Sequence, residues 1–434
     1  MNYVYWIGSR FIRTSQTIMV ALSICWLVVI PVQAQVSINL KQALKLTLIE
    51  NAELKAYPLI IRGAEAMQLQ ANLRPNPVLG VEIENTLGSG NFQSFDRSEI
   101  SVTYSQLLEL GNKQENRFKF ASEKTRRLQS EYQLARLDVL AETSRRYYRN
   151  IALQEQQVWI IRRISSEKKA LQAIQRRAKA GAVGEADVSK MALRLARSEI
   201  QQRQLSDELI LAQSRLAAMW MTEADFTSLE GSFDHLPVIP DRETITLSIE
   251  RLPSVQHQLA LQRLADTRVQ LARSNGQSDM TFTVGLRQHQ QTSDQSLNFS
   301  FSMPMAFENP NRGRIAAAQI DREKTVQQSE WIKQQLKLTL LETRQRLLNL
   351  NTHARLLKNE LLPKARKLLV ETERGYKKGS YSVLQWIDAQ SELFSIEKSL
   401  INIHWQIYQQ YLELERITGQ PMTVLVISPT GDGQ

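Results

Sequence analysis

The sequence predicts a mostly α fold with a membrane β part: long coiled helical hairpins packed side by side, and four strands that complete a barrel only together with other copies of the chain. Three observations predict it. Two segments of helical period are far longer than a globular domain can enclose. Four short segments alternate polar and apolar residues. Both kinds recur in the same order in each half of the chain.

The N-terminus reads as a secretory signal peptide over residues 1–34. Arg10 and Arg13 precede an apolar run from Ile18 to Val32, and Val32-Gln33-Ala34 has the small-residue pattern of a cleavage site. The single cysteine, Cys25, lies in this run between Ile24 and Trp26, a poor setting for lipid attachment, so a mature chain from about Gln35 is expected to hold neither lipid nor disulfide. Removing the leader takes the net charge from +10 to +8. Basic residues are interspersed with Glu and Asp along the helices, and an exported chain rarely meets nucleic acid, so nucleic acid is not an expected partner.

The first strand pair carries Leu79, Val81 and Ile83, then Ile100, Val102 and Tyr104, with Glu82, Glu84, Glu99, Ser101 and Thr103 between them. A second pair carries Met280, Phe282, Val284 and Leu286, then Leu297, Phe299, Phe301 and Met303, separated by Thr281, Thr283, Arg287, Asn298, Ser300 and Ser302. Period two over roughly nine residues, apolar on one face and polar on the other, fits a strand between lipid and water. The smallest such barrels have about eight strands, so four cannot close one. Glu82, Glu84 and Glu99 are expected in the lumen with Arg287 facing them, and the polar loops 86–97 and 289–294 outside the cell.

Helices fill the rest. No Gly or Pro occurs from Asn112 to Ala180, and Leu134, Leu137, Ala141, Ser144, Tyr148, Ile151 and Val158 keep three-four spacing. Further on, Leu336, Leu340, Thr343, Leu347, Leu350, Ala354, Leu357 and Leu361 do the same, with Leu338, Leu341 and Leu348 as a second stripe beside them. Such a repeat specifies a left-handed supercoil, and two stripes on one helix require neighbours on both sides. At 1.5 Å per residue the helices at 110–180 and 313–378 reach roughly 105 and 98 Å. Pro363 is expected to bend the second. Both end at a glycine, Gly181 and Gly379, after which helix resumes. The chain is thus an internal duplication, with repeats at about 35–222 and 243–419 joined by a short segment, 223–242, that has no helical period and holds Gly231, Pro237 and Pro240.

No catalytic constellation is present. There is no Gly-Lys pair for a phosphate loop, no His-Glu-x-x-His and no Gly-x-Ser-x-Gly, and His235, His257, His289, His353 and His404 lack metal-ligand spacing. Neither an enzyme nor a bound metal or other cofactor is expected.

Several motifs together carry a resemblance to a known family. Arg74-Pro75-Asn76-Pro77 opens the first hairpin, Leu110-Gly111-Asn112-Lys113 follows it, and Gly-centred turns at 177–188 and 376–389 lead into Asp-Val and Asp-Ala steps. In this the sequence resembles the TolC-type outer-membrane efflux proteins, leaning through Leu110–Lys113 towards the heavy-metal-efflux branch. The resemblance implies a homotrimer in the outer membrane whose helices form an α-barrel across the periplasm and whose strands form one 12-stranded β-barrel. It also implies a passive exit duct for small solutes, metal cations or drugs, served by an inner-membrane pump of RND type through a periplasmic adaptor. A duct for secreted proteins and a soluble periplasmic coiled-coil scaffold are the alternatives.

The resemblance further implies a periplasmic constriction at Asp388 and Gln385, of which only Asp388 keeps the acid, giving one ring of three carboxylates. Asp187 and Tyr376 match positions whose hydrogen bonds hold the coils shut, while the family's basic partner aligns with Tyr381. Arg177, Gly181, Ala182, Gly379 and Ser380 match the tips where the adaptor docks.

Overall fold

A computed structural model describes residues 37–233, 239, 241–243, 249–305 and 307–420. The leader with Cys25, and the junction beyond Phe233 apart from 239 and 241–243, lie outside the described residues.

The order is β1 (Ser37–Ile38), α1 (Leu40–Glu50), α2 (Ala52–Ala71), β2 (Val78–Glu84), β3 (Glu99–Leu108), α3 (Lys113–Lys179), α4 (Glu185–Ala217) and β4 (Ser228–Leu229). It continues with α5 (Pro253–Ser274), β5 (Met280–His289), β6 (Gln295–Ser302), α6 (Arg312–Leu356), α7 (Leu362–Lys378) and α8 (Val383–Thr418). At 67 residues, α3 is about 100 Å long.

The four long strands form one antiparallel sheet in the order β2-β3-β5-β6. Its register aligns every expected face. Leu79, Tyr104, Val284 and Phe299 sit in one row and Val81, Val102, Leu286 and Leu297 in the next, all on the apolar side. On the other side Glu82, Ser101, Arg287 and Ser296 share a row, as do Gly80, Thr103, Gly285 and Asn298. The two glycines flank Thr103 closely: a Cβ at Gly80 would stand 2.8 Å from its Oγ1, and one at Gly285 3.0 Å from its Cγ2. Small residues on this face let the sheet curve towards it. Arg287 pairs with Glu84 at 2.9 Å and Glu99 at 2.8 Å, one cation shared by two of the three inward carboxylates. Among the described residues neither β2 nor β6 has a partner on its outer edge.

Two helical levels flank a continuous α3. Near the sheet α2, α3, α5 and α6 pack in sequence; further down the order is α4, α3, α8 and then α6 running into α7. The Leu340, Leu347, Ala354 and Leu357 stripe is buried against Ile396, Ile403, Ile407 and Leu414 of α8. Leu338, on the second stripe, is exposed. The outermost helices also leave apolar side chains uncovered, among them Leu59 and Leu69 on α2, Leu193 and Ile200 on α4, and Leu368 and Val370 on α7.

Two local expectations are corrected. On α3 the stripe slips after Ile151: Val158 is exposed, while Trp159 and Ile160 are buried, because an unbent 3.6-residue helix drifts against a 3.5-residue repeat. Leu361 is exposed at the end of a π-helical turn, Leu357–Leu361. That turn lies directly before Pro363 and absorbs the proline's missing donor and ring clash, so the long helix continues through it into α7. Within the junction segment, Ser228 and Leu229 pair in parallel with Ser37 and Ile38. The Tyr147 hydroxyl secures that pairing by donating to the carbonyls of Ile38, at 3.1 Å, and Glu230.

Candidate functional site

Both hairpin tips solve the same local problem in the same way. A helix ending in a left-handed residue favours glycine, and Gly181 and Gly379 have φ of +71° and +82°. The amide of Ala182 then donates to the Arg177 carbonyl at 2.9 Å, and that of Ser380 to the Gly375 carbonyl at 2.9 Å. These pairs are each 198 residues apart, so the duplication extends to individual hydrogen bonds.

The tips are joined to each other. Arg177, from the end of α3, donates through Nη1 to the Tyr376 carbonyl at 2.6 Å and lies 4.7 Å above the Tyr376 ring. That ring is stacked on Trp386 at 5.0 Å and 23° and is buried, with its hydroxyl unpartnered among the described residues. The Tyr381 ring lies directly on Gly375, where a Cβ would overlap it. Tyr381 therefore packs as an apolar plate, and the cation at this tip comes from Arg177 on the other hairpin. This cross-link was not visible from spacing, because its two ends are 199 residues apart.

The remaining expected residues fall into different settings. The Gln385 carbonyl oxygen accepts from the Ser382 amide at 2.8 Å, while the Ser382 hydroxyl accepts from the Gln385 amide, a capping box that starts α8. Glutamine is thus used locally where the resemblance implies an acid. Asp187 is half-buried in the first turn of α4, where a carboxylate complements the helix dipole; its carboxylate and the Tyr376 hydroxyl make no hydrogen bond to each other. Asp388 is exposed on α8 and lines a cleft with Arg163, Lys190, Arg194, Arg197 and Lys398.

Beneath that cleft a carboxylate organises three helices. Glu167 of α3 is fully buried and accepts from Arg163 and from Arg194 of α4, both at 2.9 Å. Arg194 also donates to the Ile387 carbonyl of α8 at 3.1 Å and to the Ser391 hydroxyl. The Arg163/Glu167 spacing is readable as an i,i+4 pair, but its third member is not.

At the sheet end, Lys113 of the Leu110–Lys113 motif is nearly buried and pairs with Asp279 at 2.7 Å, while Asp279 also accepts from the Leu110 amide at 3.2 Å. The motif's lysine thus ties the start of α3 to the chain leading into β5, a structural duty. Among the described residues no three His, Cys, Asp or Glu side chains cluster in a way that could hold a metal ion.

A four-stranded sheet strip whose outer edges are unpaired among the described residues, continuous with four helices at each level and ending in paired glycine tips, is the architecture that a subunit of a shared-wall channel requires. Residues 244–420 match the family model described as outer membrane efflux protein. Over that segment, which is the second half of the chain, the sequence is similar to that family. A relative, the cobalt-zinc-cadmium resistance protein CzcC of Cupriavidus metallidurans, is 25% identical over 396 residues, covering 90% of this chain and 92% of its own. The solved structure of CusC superposes with a TM-score of 0.74 at 14% identity, covering 87% of this chain and 91% of that one. The outer membrane protein VceC from Vibrio cholerae gives 0.71 at 14% identity, with 88% and 96% covered.

Proposed function

We propose that this chain is one third of a passive outer-membrane duct that extends into the periplasm and serves a tripartite efflux system. The observation that carries the reading is incompleteness. The sheet presents an apolar outer face, a charged inner face and unpaired edges at β2 and β6, and the outer helices expose apolar side chains along the same borders. Three copies supply twelve strands, above the roughly eight that a closed barrel needs, and twelve helices at each level. A periplasmic adaptor and an inner-membrane pump, of RND type by the resemblance, complete the path. The names of CzcC and of its cobalt, zinc and cadmium resistance favour metal cations as cargo.

The periplasmic tip is the narrow end in this reading. Arg177 and Tyr376 hold its two hairpins together, Asp187 and Asp388 place carboxylates near the opening, and Gln385 fixes the start of α8. Gly181, Ala182, Gly379 and Ser380 offer the turn surfaces to the adaptor.

Purified protein in detergent, examined by light scattering and then in a planar bilayer, tests the proposal. The expected result is a trimer that forms discrete conducting steps. A stable water-soluble single-copy species without conductance would overturn it.

A further inference from the structure

The cleft around Asp388 has a charge opposite to that expected from its acid. Arg163, Lys190, Arg194, Arg197 and Lys398 surround it, while Glu167 below and Asp388 beside it are the carboxylates in contact with the set. Five cations against two carboxylates leave three positive charges in excess. The excess is also localised. Glu167 holds Arg163 and Arg194, but Lys190, Arg197 and Lys398 have no carboxylate within ion-pair distance among the described residues. Elsewhere on these helices many basic residues are paired within a turn, as in Arg127 with Glu131 and Arg146 with Glu142.

The cleft is also built rigidly. Trp159 forms its floor, fully buried, with its indole N–H donated to the Phe394 carbonyl at 3.1 Å. Arg163 of α3 and Lys398 of α8 both lie 5.6 Å from its ring centre. Arg194 is held by groups from α3 and α8 at once. Lys190, Arg194 and Arg197 repeat at four and three residues along α4, and Asp388, Ser391, Ser395 and Lys398 at three and four along α8, so each helix turns one consistent row towards the cleft. The ten-residue span from Asp388 to Lys398 makes the cleft about 15 Å long.

We propose that this cleft is a binding site for a small multivalent oxyanion. Lys190, Arg197 and Lys398 supply the unpaired positive charge, Ser395 supplies a hydroxyl donor while the Ser391 hydroxyl is already given to the Ile387 carbonyl at 2.8 Å, and the positions of α4 and α8 are fixed before binding, so little order is lost when the anion enters. Asp388 opposes binding and sets its strength. The cleft includes Asp388 of the proposed periplasmic opening, but binding to it does not depend on which solute the duct carries.

Titration calorimetry of the detergent-solubilised protein with pyrophosphate at low ionic strength tests it. Expected is saturable binding with one site per chain, weakened by salt because the attraction is screened. The double variant Lys190→Gln/Arg197→Gln, both exposed positions, is expected to bind about tenfold more weakly, and Asp388→Asn several-fold more tightly. Circular dichroism and oligomeric state confirm that each variant is folded. Absence of saturable heat, or equal affinity in the double variant, would overturn the proposal, as would weaker binding in Asp388→Asn.

Discussion

Two interactions converge on the guanidinium of Arg177: a charged hydrogen bond to the Tyr376 carbonyl and a cation–π contact with the same residue's ring. Hydrogen bonds to charged groups contribute about 1.5–3 kcal/mol and partly exposed cation–π contacts about 0.5–1 kcal/mol. Their sum is enough to shift an opening equilibrium of the two hairpins by about one and a half to three orders of magnitude, at about 1.4 kcal/mol per decade. Arg177→Ala is therefore expected to raise single-channel conductance or open probability. Arg177→Lys should fall between, since it keeps the charge but loses the planar fork. Conductance identical in all three proteins would return Arg177 to a turn-surface role. Neighbouring Gly375 belongs to the same arrangement, because any side chain there would displace Tyr381.

At the scale of elements, the sheet makes opposite demands on adjacent residues. Phe299 and Phe301 are on the apolar face and exposed in the single chain; Ser300 between them is paired with Thr283 on the inner face. A lysine at the bilayer midplane on the lipid side costs about 2–4 kcal/mol, and one in a wet lumen costs little. Phe299→Lys and Phe301→Lys should each reduce heat-modifiable, membrane-inserted protein strongly, and Ser300→Lys should not. Equal loss on both faces would contradict the face assignment. Period two is a local property, which is why all four strands and their loops were legible in the sequence. So were the two long helices and their glycine ends. The short β1–β4 pairing was not, because two residues per strand carry no period and their partners are 191 positions apart. For the same reason Arg194 was not foreseen: its three acceptors lie on Glu167, Ile387 and Ser391 and on no residue of its own helix. Asp388 was identified by position, but its basic surroundings come from two other helices and reverse the charge its neighbourhood presents.

The whole molecule can be tested at its two open edges. In a single chain β2 and β6 are separated by β3 and β5, three strand spacings or about 14 Å, well beyond the roughly 7 Å Cα separation that a disulfide tolerates. A disulfide between them can thus form only between copies. The strand directions alternate across the strip, so β6 of one copy meets β2 of the next in the antiparallel sense required for a closed ring. The sequence suits the experiment, because its one cysteine lies at position 25, within the segment read as a cleaved leader. Glu82→Cys on β2 should be combined in turn with Asn298→Cys, Ser300→Cys and Ser302→Cys on β6, which samples the register on the inner face. At least one combination is expected to give a ladder of covalent dimers and trimers in membranes under oxidising conditions, collapsing on reduction, with trimer the largest species. The single-cysteine proteins should stay monomeric in the same assay. If membrane-inserted protein yields no ladder with any pair, β2 and β6 are not adjacent between copies, and the shared wall fails as an account of these strands.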